Sequence, residues 1–85
     1  MASKTVTVGA SVGLHARPAS IIAEAAGEYD DEITLSVDGE EGVDAASSLM
    51  IMTLGAEKGA QVTVESDNAE AVEKIAARVE SDLDA

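Results

Sequence analysis

The sequence predicts an α+β sandwich, one β-sheet covered on one face by helices, and three observations carry that expectation. Short alternating β-branched segments recur at Lys4–Val8, Ile33–Val37 and Gln61–Glu65. Helix-period apolar faces lie between and after them, so the elements order as β-α-β-β-α-β-α. The chain has 85 residues, which leaves room for one domain, residues 1–85, and no second core.

Each element has its own local cause. Lys4-Thr5-Val6-Thr7-Val8 alternates polar and apolar side chains and reads as a half-buried strand. The small residues Gly9 to Gly13 form a loop, and a first helix follows from about Ala16 to Ala26. Pro18 fits its first turn, where a missing N–H has no intrahelical partner to lose. Ile22, Ala25, Ala26 and Tyr29 recur on one face, and Gly27 is placed to stop the helix as its C′ residue. Glu24 and Glu28 stand one turn apart at the carboxyl end, a mildly unfavourable pairing in dilute buffer. After the strand Ile33–Val37, Asp38-Gly39 is a hairpin signal, with a weaker return strand from Glu40 to about Ala45 anchored by Val43. Ser47 or its neighbour caps a short helix, Ser48 to Thr53, which Leu54-Gly55 ends. Its Leu49, Met50, Ile51 and Met52 are apolar all round, and for Met50 and Ile51 the expected place is the core. Val62 and Val64 point inward from the last strand. Asp67 caps the final helix with Glu70 at N3, Val72, Ile75, Ala76, Val79 and Leu83 mark its apolar stripe, and Glu70–Lys74 forms an i,i+4 pair.

Composition removes several function classes. There is no Cys, which excludes disulfides and thiolate chemistry, and one His cannot build a nitrogen-rich metal site. Tyr29 is the single aromatic residue, so the core is aliphatic. No apolar run reaches the roughly 18 residues of a membrane span and no leader pattern precedes Val6, which makes cytoplasm the expected location. Five Lys+Arg against seventeen Asp+Glu give a net charge of −12. Nucleic acid is therefore a poor partner, because no basic stripe can neutralise phosphates. The 46% hydrophobic content in clear periods argues against disorder. An acidic, Lys-poor, aromatic-poor surface suits concentrated salt, where the Debye length is about 3 Å at 1 M.

The chemistry concentrates in Gly13-Leu14-His15-Ala16-Arg17-Pro18-Ala19, which holds the single His and the single Pro. If a helix begins here, the N–H groups of Ala16 and Arg17 are unpaired donors at its positive end, favourable to an anion. Arg17 adds a guanidinium fork that matches phosphate. His15 offers a neutral imidazole near physiological pH, a nucleophile able to accept and return a phosphoryl group. A lone histidine at a helix start is more often a cap or a solvated polar residue, and Arg17 could simply be solvated. The structure has to choose between these.

Those seven residues resemble the active-site motif of the histidine-containing phosphocarrier (HPr) family of the phosphoenolpyruvate-dependent sugar phosphotransferase system, and the resemblance covers essentially the whole chain. It implies an open-faced β-sandwich, a four-stranded antiparallel sheet with three helices on one face. It implies that His15 takes a phosphoryl group on Nδ1 from phosphorylated enzyme I and passes it to a histidine of an enzyme IIA domain, with Arg17 stabilising the phosphate and no cofactor required. Ser47 corresponds to the serine that an ATP-dependent kinase phosphorylates in some bacterial members, with Ser48 the rival one residue on. Leu49 and Met52, with Ala16, Ser20 and Ser48, fall in the partner-binding surface, and the expected state is a monomer. Two readings stand beside this one: a phosphocarrier for a dihydroxyacetone kinase or nitrogen-type relay, and a regulatory binding module acting through the Ser47 region. The chain departs from the family in charge. Where many members carry Lys around the histidine, this one has Glu24, Glu28, Glu40, Glu41 and Ala46, which inverts steering toward an acidic partner.

Overall fold

The computed structural model describes residues 2–11, 13–37 and 40–81. The elements follow the expected order: β1 (Ala2–Thr7), α1 (Ala16–Ala26), β2 (Ile33–Val37), β3 (Val43–Asp44), α2 (Ser48–Thr53), β4 (Gln61–Ser66) and α3 (Ala69–Glu80). The four strands form one antiparallel sheet in the order β1-β4-β2-β3.

Register turns the alternation seen in sequence into two different faces. Val62 of β4 stands between Val6 of β1 and Val37 of β2, and Val64 stands between Lys4 and Leu35. Val6, Leu35, Val62 and Val64 are buried with Ile22 of α1, Ile51 of α2 and Ile75 and Val79 of α3. Because side chains alternate along a strand, the intervening residues face away from this core. They are polar and pair with one another: the Thr5 and Thr63 hydroxyls are 2.8 Å apart, and Gln61 Nε2 donates to Thr7 Oγ1 at 2.8 Å. One face of the sheet is thus covered by helices and the other is left to solvent. With one aromatic residue in the chain, small side chains let the helices approach closely: Ala19, Ala25 and Ala26 on α1 and Ala71 and Ala76 on α3 are all buried.

Several local expectations change. β1 ends at Thr7, and Val8 instead exchanges backbone bonds with the turn before β4, donating to the Ala60 carbonyl and accepting from Gly59 N–H. The return strand shrinks from Glu40–Ala45 to Val43–Asp44, because Glu40, Glu41 and Gly42 are exposed or lack an apolar side chain to place under the helices. Asp38-Gly39 and Leu83 lie outside the described residues. Gly27 is the C-cap of α1 at φ −67°, right-handed, so no left-handed C′ stop is made there. Asn68, not Asp67, caps α3: its side chain accepts from Ala71 N–H at 3.2 Å, which moves Glu70 from N3 to N2 and removes the reciprocal capping pair. Ser66 Oγ accepts from Asn68 N–H, and Asn68 Nδ2 donates to Asp31, so tertiary partners choose between two residues of capping type. Lys74 does not reach back to Glu70. Its Nζ bonds Glu28 at 2.8 Å and lies 5.7 Å from the Tyr29 ring centroid, tying the end of α1 to α3. The crowding expected of Glu28 is relieved by that cation, and the hydrogen bond from Lys74 holds the Glu28 carboxyl below its ordinary range while raising the Lys74 ammonium above its own.

Candidate functional site

The seven-residue stretch divides into anchors and exposed groups. Gly13 has φ +79°, and a Cβ there would lie 2.6 Å from the Ala56 carbonyl oxygen and 2.8 Å from Glu57 Cα. A side chain is thus excluded twice, by backbone conformation and by the neighbouring segment. Leu14 N–H donates to the Ala56 carbonyl at 2.8 Å, and the Leu14 side chain is buried. Pro18 and Ala19, at the other end, are buried against the core. Held at both ends, the chain presents His15, Ala16 and Arg17 to solvent.

His15 occupies the N-cap position of α1 with extended backbone, φ −83° and ψ −167°. Its carbonyl accepts the first intrahelical bond, from Ala19 N–H at 2.9 Å. Its side chain makes no capping bond. The simple capping explanation for this histidine therefore fails: the backbone caps, and the imidazole is spare. It is 63% exposed, and its Nε2 lies 3.8 Å from Glu57 Oε2. Among the described residues Arg17 makes no ion pair, so its guanidinium is not committed to a carboxylate. With the open donors of the first turn, these groups form an anion-accepting end beside a nucleophile.

α2 packs beside α1. Ser47 caps it, its Oγ accepting from Met50 N–H at 3.3 Å, and Ser48 is half-buried as the first helical residue. Leu49 is 72% exposed and Met50 43%, whereas Ile51 is fully buried and Met52 is half-buried against the core. The core placement expected of Met50 is thus wrong, and the outer face of α2 is Leu49 and Met50, with Met52 at its margin. Ser20 is exposed on α1 one turn beyond Ala16, itself exposed. Glu57 is the site residue that sequence reasoning missed. It sits in the loop between α2 and β4, far along the chain, and what brings it to His15 is the backbone contact that only glycine at position 13 permits. No group of three or more His, Cys, Asp or Glu able to hold a metal occurs among the described residues.

An open-faced α+β sandwich with a free imidazole at the head of its first helix defines a class of histidine phosphocarriers. The PTS-HPr family model, described as the PTS HPr component phosphorylation site, matches residues 2–81. The chain belongs to the HPr family of phosphocarriers of the phosphotransferase system. It is 42% identical over 67 residues to the phosphocarrier protein HPr of Streptomyces coelicolor, covering 79% of this chain and 72% of that one. Among solved structures, HPr from Bacillus anthracis superposes with a TM-score of 0.84 at 33% identity, over 92% of this chain and 95% of that one. HPr from Thermoanaerobacter tengcongensis superposes with a TM-score of 0.88 at 28% identity, over 100% and 98%. No helix among the described residues is long and apolar enough to cross a membrane.

Proposed function

We propose that this phosphocarrier accepts a phosphoryl group on His15 from phosphorylated enzyme I, itself charged by phosphoenolpyruvate, and passes it to an enzyme IIA domain in sugar uptake. The observation that carries this is the exposed His15 imidazole, left without a capping role at a helix N-terminus. Arg17 and the first-turn N–H groups stabilise the phosphoryl charge without enclosing it, so the group can leave again. Leu49 and Met50 supply the apolar centre of a docking surface, with Ala16, Ser20, Ser48 and Met52 around them, that brings partner histidines to His15. The carrier acts as one domain, as a monomer, in the cytoplasm. Ser47 is the candidate for regulatory phosphorylation: a phosphate on an N-cap oxygen would meet the positive end of α2 and place new charge beside the docking residues.

The test is incubation with phosphoenolpyruvate and the cognate enzyme I. The protein should acquire an acid-labile phosphoryl label, and His15→Ala should abolish it. A label that persists in the variant would overturn the assignment of His15.

A further inference from the structure

We propose that Glu57 is a positioning residue for phosphoryl transfer: its carboxylate faces Nε2 of His15, holds the ring proton on that nitrogen, and so leaves the Nδ1 lone pair as the nucleophile. The inference rests on the proposed role of His15 as phosphoryl acceptor. Nothing in the His-x-Arg-Pro stretch decides which ring nitrogen reacts. The imidazole has two nitrogens, and in its neutral form one carries the proton while the other carries the lone pair. A carboxylate on one side of the ring biases that choice, because it accepts from N–H and repels a lone pair. Glu57 Oε2 stands 3.8 Å from Nε2, within reach of a small closing movement by two exposed side chains.

The charges of the neighbouring elements leave this role to Glu57. α2 contains no charged side chain, α1 carries Arg17 and, further along, Glu24, and Lys58 follows Glu57 in the chain; among the described residues Glu57 is the carboxylate paired with the ring. The backbone places Glu57 beside this site, since Leu14 N–H bonds the Ala56 carbonyl and the Gly13 Cα passes the Glu57 Cα without a Cβ between. The same chain segment that positions the histidine therefore also supplies its counter-charge.

The transfer step balances without moving this proton. The Nδ1 lone pair forms the new N–P bond while the N–P bond of the phosphohistidine donor breaks, its electrons returning to the donor imidazole. The proton stays on Nε2, so the phosphorylated ring carries a positive charge, and Glu57 opposes that charge from the side away from the phosphoryl group. Onward transfer reverses these bonds, and the departing ring again keeps its Nε2 proton.

A carboxylate facing a neutral ring N–H at an exposed site acts through high dielectric, so its bias on the tautomer is a factor of roughly two to five. The experiment uses the full chain labelled with 15N in the imidazole, and reads the two ring nitrogens by long-range proton–nitrogen spectra at a pH where the ring is neutral. Glu57→Ala and Glu57→Gln should lower the ratio of Nε2–H to Nδ1–H tautomer by about two- to fivefold relative to wild type, and slow acceptance from phosphorylated enzyme I by a similar factor. An unchanged tautomer ratio in both folded variants overturns the role of Glu57. The failure of wild-type protein to take label from enzyme I would instead overturn the phosphocarrier reading, and the tautomer ratio would still decide the placement of the proton.

Discussion

Gly13 does more for this site than its lack of a side chain suggests. Its left-handed φ permits the turn, and its bare Cα lets the loop close on the Ala56-Glu57 backbone. Gly13→Ala would add strain in the left-handed region and a clash with the Ala56 carbonyl, together about 1–3 kcal/mol. A chemical denaturation midpoint should fall accordingly, and the variant should label more slowly with enzyme I than its remaining folded fraction explains, because the displaced loop carries His15. A Gly13→Ala protein with wild-type stability would show that this backbone is not constrained as described. His15 and Arg17 can be found in sequence because their exposure follows from neighbours within four positions: Leu14 turns inward, Pro18 and Ala19 turn inward, and the residues between turn out. Glu57 carries no such local mark. Its importance arises from a contact between distant segments, which the order of residues does not display.

Among the elements, the helices legible in sequence are those with their signals written beside them. Pro18 in the first turn of α1 and Ser47 before α2 each fix a start, and Gly55, at φ +64°, follows the Leu54 C-cap of α2. The start of α3 differs by one residue from its sequence signal because Asp67 and Asn68 are both capping types. The decision falls to Ser66 and Asp31, which hold Asn68 from either side. Asn68→Ala should therefore cost about 1 kcal/mol for the cap, which for a chain of this size lowers the melting temperature by roughly 4–8 °C. Asp67→Ala should change it little, and a larger loss from Asp67→Ala than from Asn68→Ala would return the cap to Asp67. Lys74 also takes a partner that local spacing does not indicate, since i,i+4 along α3 offers Glu70 while packing offers Glu28 and Tyr29. That tie has a pH signature. The folded-state pKa of Glu28 is depressed, so its contribution is present above the unfolded carboxylate range and lost as pH falls through the lower folded value. That of Lys74 is raised, so its contribution is present below the unfolded lysine range and lost as pH rises through the higher folded value. Across neutral pH both are in place, and Lys74→Met should flatten the acid limb of a stability–pH curve relative to wild type.

At the scale of the molecule, charge and topology dominate. A net −12 on 85 residues should repel itself in dilute buffer and be screened in salt. Thermal melts in a sodium or potassium chloride series are expected to rise from low salt to about 1 M by several degrees, with a chain indifferent to salt contradicting the idea of a surface suited to concentrated salt. The sheet has a consequence of another kind. Its central strand, β4, follows β1, β2 and β3 in the chain, and it alone joins β1 to the β2–β3 pair. A nascent chain that has reached α2 therefore holds β1 and the β2–β3 pair with no common edge, and a first helix whose four-stranded sheet is not yet there to cover. The histidine loop is made early, yet the Ala56-Glu57 backbone it leans on is made only after α2. The sheet of this protein can be completed only from the later half of the chain, by a strand that stands between two made before it.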